Sequence, residues 1–273
     1  MAKVFVSVDE VNAEQAKWID ARFSLQDSGE GRRQYGESHI SGALYWDLEK
    51  DLSDMAKKAG RHPMPEKEAL TELFRRSGLN RDDLIIVYDQ GGSPFAPRAW
   101  WFLHYAGFQN AVIAIEGFEE LRAKGIPVDD VEPKPVRTDV QPDWNEELYA
   151  SWDFVERTVA GRTDSRLVDA RAAERYRGEV EPLDPVAGRI PGALNFDWEQ
   201  LKQDGRFRAD DTLRNRLATV VNPTEEVTVY CGSGVTAAPL YAMLKQVDYP
   251  NVRLYVGSYS DWISKEDAPV EKG

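Results

Sequence analysis

The sequence predicts an α/β fold written twice, each copy a mainly parallel sheet flanked by helices. Three observations carry this expectation: landmark motifs that recur in the same order, short continuous apolar runs, and a strand–loop–helix–strand succession within each copy. Ile19-Asp20-Ala21-Arg22 recurs as Val168-Asp169-Ala170-Arg171, and His39-Ile40-Ser41-Gly42-Ala43 as Arg189-Ile190-Pro191-Gly192-Ala193. Ile86-Val87-Tyr88-Asp89 recurs as Thr228-Val229-Tyr230-Cys231, and Glu116-Gly117-Phe118 as Val256-Gly257-Ser258. The spacing between copies drifts slowly, as it does when loops change length after a duplication.

Within the first copy, Leu84 to Tyr88 is a short apolar run, the pattern of a strand buried on both faces. Pro97 to Tyr105 then reads as a helix, and Ala111 to Ile115 as a second buried strand. The second copy repeats this as Glu226 to Tyr230, Thr236 to Val247 and Val252 to Val256. Such a succession implies parallel βαβ units. Between the copies, Ile126 to Asn145 carries four prolines and alternating charge, and reads as an extended linker. The expected boundaries are a first domain over 1–128, a linker over 129–145 and a second domain over 146–273.

Lys and Arg number 34 against 47 Asp and Glu, a net charge of −13. That excess repels polyanions at long range and argues against nucleic acid and anionic membrane surfaces as partners. A small anionic substrate remains possible where cations and backbone N–H groups cluster. One cysteine and three histidines make a structural zinc site improbable. The N-terminal stretch lacks a signal-peptide core and no run reaches membrane-spanning length, so a cytoplasmic protein is expected.

Sites in parallel α/β sheets lie at the carboxyl ends of strands, and Cys231 stands at one. Cys231-Gly232-Ser233-Gly234-Val235-Thr236-Ala237 follows the strand and opens the helix. Two glycines let successive N–H groups converge, the helix adds its unpaired N–H groups, and a thiol there is favoured as thiolate. A phosphatase loop would need an arginine six residues after the cysteine, where Ala237 stands. A cysteine hydrolase would want a histidine as base, and the second copy has none. A disulfide oxidoreductase would need a second thiol. A nucleophile that accepts sulfane sulfur as Cys–S–S⁻ and passes it on fits what is left.

The duplicated unit, the Asp89 copy and the loop CGSGVTA resemble the two-domain rhodanese superfamily of sulfurtransferases. The stretch YDQGGSPFAPRAWW, Tyr88 to Trp101, is similar to that family's non-catalytic counterpart of the active loop. The resemblance implies tandem rhodanese-like domains, the first non-catalytic with Asp89 at the nucleophile position, the second catalytic through a Cys231 persulfide. It implies 3-mercaptopyruvate or thiosulfate as donor, a thiophilic acceptor such as cyanide, a thiol or a thioredoxin-like protein, and neither metal nor organic cofactor. Gly232, Ser233, Gly234, Val235 and Thr236 would cradle the sulfur and Arg175 would bind the donor, with Arg177 and Arg189 as lesser alternatives. The loop is like that of the mercaptopyruvate branch. That branch tends to carry a second arginine nine positions after the first, and Asp184 stands there instead, as in the thiosulfate branch. Ser233, His62 and Glu49 match the family's supporting Ser–His–acid set. The alternative reading is a low-turnover sulfur carrier or oxyanion-binding module of the same fold.

The remaining motifs read as structural. Asp169 and Arg171 recur as Asp20 and Arg22 in the copy without a nucleophile, so the pair is expected to tie a strand end to its loops. His39 is expected to be a structural hydrogen-bonder, and His104, Trp100 and Trp101 to be helix packing.

Overall fold

The computed structural model describes residues 3–273, which fall into two units. The first comprises the described residues up to Asp54 together with Pro65–Asn145; the second comprises Glu146–Gly273 together with Met55–Met64.

The first unit contains β1 (Phe5–Val6), β2 (Lys17–Asp20), α1 (Glu30–Glu37), β3 (His39–Ile40), β4 (Leu44–Tyr45), α2 (Lys67–Arg76), β5 (Ile85–Tyr88), α3 (Phe95–Tyr105), β6 (Ala111–Ala114), α4 (Phe118–Ala123) and β7 (Val128–Asp129). Its five-stranded sheet runs β1-β6-β5-β2-β4 with every pairing parallel. The second contains α5 (Trp152–Val159), β8 (Arg166–Asp169), α6 (Ala173–Arg177), β9 (Leu194–Asn195), β10 (Lys202–Gln203), β11 (Arg206–Phe207), α7 (Asp211–Ala218), β12 (Val227–Tyr230), α8 (Ala237–Gln246), β13 (Val252–Leu254) and α9 (Ser258–Trp262). Its sheet runs β13-β12-β8-β9, again parallel, beside the antiparallel β10–β11 ribbon. Among the described residues no helix is long and apolar enough to cross a membrane.

The duplication holds down to register. Asp20 pairs with Tyr88 between β2 and β5, and Asp169 with Tyr230 between β8 and β12. The antiparallel pair His39↔Asp129 returns as the bridge Arg189↔Glu271. Edge strand β1 is reduced in the second unit to one parallel bridge, Tyr149↔Leu254. Central strands β5 and β12 are buried at every residue, which is why their sequences do not alternate. Arg22 meets Asp20 at 2.6 Å and donates to Ser38 O; Arg171 meets Asp169 at 2.6 Å and donates to Gly188 O. Each buried arginine thus holds a strand end to the following loop with its charge matched.

His39 is structural, its Nδ1 2.7 Å from Tyr35 O and its ring stacked on that tyrosine. Trp100 and Trp101 are core residues, with His104 stacked on Trp100.

Two segments differ from the expected boundaries. Residues 129–145 are extended but not free: Thr138 N–H donates to Arg75 O, Asp143 N–H to Ala106 O and Asn145 N–H to Tyr105 O. The prolines remove sheet and helix as options, and the strand of chain is strapped to the first unit instead. Met55–Met64, inside the range expected for the first domain, packs with the second unit, where Arg61 N–H donates to Ser260 Oγ at 3.1 Å.

Candidate active site

Strand β12 ends at Tyr230 and delivers Cys231, which is 1% exposed, into the loop leading to α8. Gly234 adopts φ +74, and a Cβ on it would lie 2.0 Å from Val256 O. Only glycine fits there, and the resulting turn aims Gly234 N–H at Cys231 Sγ, 3.2 Å away. Helix α8 follows at once, with Pro239 tolerated in its first turn. The N–H groups of Val235, Thr236 and Ala237 have no acceptor among the described residues. With the helix dipole they make this end of α8 favourable for negative charge.

The turn after β13 forms the back of the loop. Cys231 N–H donates to Ser258 Oγ at 3.0 Å, and that hydroxyl donates to Tyr255 O at 2.8 Å while lying 4.0 Å from Sγ. Tyr259 N–H and Ser260 N–H reach back to the carbonyls of Cys231 and Gly232. Ser258 is fully buried at φ +57, a strained conformation for a residue with a side chain.

The first unit shows what this loop does around a fixed anion. Asp89 occupies the position of Cys231, and Gly92 at φ +61 that of Gly234. Asp89 Oδ1 accepts from Gly91 N–H at 2.8 Å and Oδ2 from Ala96 N–H at 2.9 Å. Burial pushes the carboxyl up to about 6, against the pull of the Ala96, Gly91 and Ser93 N–H groups. In the first unit the loop thus turns its N–H groups onto the Asp89 carboxylate itself, whereas in the second Gly234 N–H meets the Cys231 sulfur.

Two guanidinium groups lie over Gly232, where a Cβ would come 2.4 Å from Arg61 Nη2 and 3.4 Å from Arg175 Nη2. Arg175, on α6, is the residue expected from the sequence. Glu181 holds it with two bonds, Nη2 to Oε1 at 2.6 Å and Nε to Oε2 at 3.2 Å. Asp184 sits between the guanidiniums, its Oδ2 3.2 Å from Arg61 Nη2 and 3.3 Å from Arg175 Nη2. Arg177 pairs with Glu179, and Arg189 with Glu271 and the carbonyl of Gly273, so neither alternative joins the loop.

Ser233 and His62 are brought together, Oγ to Nδ1 2.8 Å, both buried. The second copy's own residues contain no histidine, but Met55–Met64 brings His62 into the second unit. Glu49 belongs to the first unit, where Asp47 Oδ1 accepts from its N–H. Arg61, Glu181 and Ser258 were not singled out from the sequence as site residues. Arg61 adjoins His62 and could have been found from it. Glu181 and Ser258 carry no local signal, because their roles depend on contacts distant in sequence.

The rhodanese-like domain profile matches residues 7–124 and again 153–265. A Pseudomonas aeruginosa protein named "Probable 3-mercaptopyruvate sulfurtransferase" is 39% identical over 93% of this chain and 92% of its own length. A thiosulfate sulfurtransferase of Azotobacter vinelandii is 30% identical over 87% of each chain. Among solved structures, the crystal structure of SseA, a 3-mercaptopyruvate sulfotransferase from Escherichia coli, superposes with a TM-score of 0.81 at 31% identity, covering 95% of this chain and 100% of that one. With both halves matched and the repeat visible in register, the chain belongs to the rhodanese family, as a tandem-domain enzyme of the sulfurtransferase type.

Proposed function

We propose that the chain moves sulfane sulfur through a persulfide on Cys231, with 3-mercaptopyruvate or thiosulfate as donor. The observation that carries this is the buried Cys231 thiol receiving Gly234 N–H at the N-terminal end of α8, beside two arginines. The thiolate attacks the transferable sulfur and an S–S bond forms. With thiosulfate the old S–S bond breaks and its electron pair leaves on sulfite. With 3-mercaptopyruvate the C–S bond breaks, and the donor's thiol proton passes to the carbon of the enolate, giving pyruvate. In this reading the Ser233–His62 pair relays that proton. The terminal sulfur of Cys–S–S⁻ is received by the N–H groups of Gly232 to Ala237, which act as fixed dipoles toward the anion. A thiol, a thioredoxin-like protein or cyanide then attacks the outer sulfur and releases the Cys231 thiolate.

Intact-mass spectrometry after exposure to each donor, and then to cyanide, tests the scheme. A gain of one sulfur, reversed by cyanide and absent in Cys231→Ser, is the expected result. No gain with either donor overturns it and leaves an oxyanion-binding module.

A further inference from the structure

The acids around the two arginines are not equivalent. Glu181 is built in: it accepts from Arg175 twice, from Arg171 Nη1 at 3.1 Å, and from the N–H groups of Leu183 and Asp184. Burial alone would raise its pKa, but the bonds and charge of Arg175 and those N–H groups hold it below the ordinary carboxylate range. Asp184 is attached more loosely. Its carboxylate meets Arg61 at 3.2 Å and Arg175 at 3.3 Å, and among the described residues no backbone N–H donates to it. It lies in a stretch where neighbouring Leu183 and Val186 are exposed, and Pro182 and Pro185 flank it. Burial raises its carboxyl pKa, against the lowering by Arg61.

We propose that Asp184 is an internal carboxylate occupying the seat of the donor's anionic group, and that a sulfur donor binds by displacing it from Arg61 and Arg175. This rests on the persulfide reading above and adds the residue that sets the strength of donor binding. One carboxylate bridging two guanidiniums over Gly232 is the arrangement that a donor carboxylate or sulfonate would itself adopt. With Glu181 on Arg175 and Asp184 bridging the pair, the charge of the two arginines is balanced, so the donor exchanges one anion for another rather than gaining a new partner. Arg61 thereby becomes a donor-binding residue together with Arg175, and Glu181 a positioning residue that keeps Arg175 in place when Asp184 leaves.

The groups facing Asp184 are Arg61 from the Met55–Met64 segment, Arg175 from α6, Arg171 after β8, Glu181 from its own loop and Tyr259 from α9. Of the two acids only Asp184 has its carboxyl raised, while Glu181 stays ionised to lower pH. As pH falls, Asp184 takes up a proton, releases both guanidiniums, and donor binding tightens.

The experiment measures the KM for thiosulfate, with cyanide as acceptor, in the wild type, Asp184→Asn and Glu181→Gln. Loss of one charge-assisted competitor predicts a KM on the order of tenfold lower in Asp184→Asn. Glu181→Gln raises KM instead. The wild-type KM rises with pH across the carboxylate range, and Asp184→Asn flattens that rise; the wild-type profile needs no variant to fold. An unchanged or raised KM in Asp184→Asn, or a wild-type KM flat across that range, overturns the proposal. Sulfite binding to Cys231→Ser, with and without Asp184→Asn, reads anion affinity without sulfur transfer, and tighter binding in the double variant is expected. If wild-type Cys231 gains no sulfur from any donor, the persulfide reading fails; if it gains sulfur but KM does not fall in Asp184→Asn, only the role of Asp184 fails.

Discussion

Two glycines stand two residues apart in the Cys231 loop, and alanine at each should fail in a different way. At Gly234 the backbone is left-handed, which costs a residue with a Cβ about 1–2 kcal/mol. The added methyl would also sit 2.0 Å from Val256 O and 2.8 Å from Val256 C. That carbonyl belongs to the backbone of the turn holding Ser258 and cannot swing aside, so the loop itself must move, at a cost of about 1–3 kcal/mol. Together these amount to about 2–5 kcal/mol, and at about 2–4 °C per kcal/mol the second unit should unfold roughly 4–20 °C earlier. The same shift takes Gly234 N–H away from Sγ, so turnover falls as well. At Gly232 the backbone is not left-handed, and the methyl meets Arg61 Nη2 at 2.4 Å, the far end of a flexible side chain. Gly232→Ala should therefore stay within about 1 kcal/mol of the wild type while raising the donor KM, because Arg61 is pushed off the loop. Calorimetric unfolding and steady-state kinetics on both variants decide the matter. Equal unfolding temperatures for the two, or wild-type turnover in Gly234→Ala, would refute the reasoning.

Other substitutions probe the surroundings. Ser258→Ala leaves the buried Cys231 N–H without its acceptor and should cost about 1–3 kcal/mol in denaturant unfolding; a stability equal to wild type would show that another acceptor takes over. For Asp89 the folded carboxyl stands at about 6 against an ordinary 3.8, so its ionisation opposes folding. Its contribution is fully favourable below the unfolded value and is lost as pH rises through the folded one, by about 2 kcal/mol between pH 4 and pH 7. The stability difference between wild type and Asp89→Asn should trace that slope, and parallel pH curves would contradict it. Ser233→Ala and His62→Asn should slow sulfur loading from 3-mercaptopyruvate more than from thiosulfate, which brings no thiol proton. Equal slowing with both donors would assign the pair to structure alone.

The sheets and the strand–loop–helix turn at Cys231 were legible because their signals are local. A buried parallel strand announces itself by an unbroken apolar run, as at Ile85–Tyr88 and Val227–Tyr230, and the duplication let one copy corroborate the other. Cys231 was legible because its strand, its glycines and its helix are contiguous. Asp184 was visible as an acid in an unexpected place, but its bridging of Arg61 and Arg175 was not, since the partners come from positions far apart in the chain. Ser258 was read only as a landmark of the repeat, because nothing in its own neighbourhood shows that its hydroxyl holds the Cys231 N–H. Past Asp129, the end of β7, the chain to Asn145 with Pro133, Pro135 and Pro142 forms no further strand or helix. Backbone bonds such as Thr138 N–H to Arg75 O depend on a fold that composition does not encode.

The ten residues Met55–Met64 are encoded in the first repeat and built into the second unit, where they supply Arg61 and His62. A duplicated gene normally leaves two copies that can drift, separate or be lost independently. Here a segment of the first copy is a working part of the second unit. Cutting the gene at the repeat boundary would give a second half with its cysteine but without those two side chains. The second repeat, expressed alone, would therefore lack Arg61 over Gly232 and His62 beside Ser233.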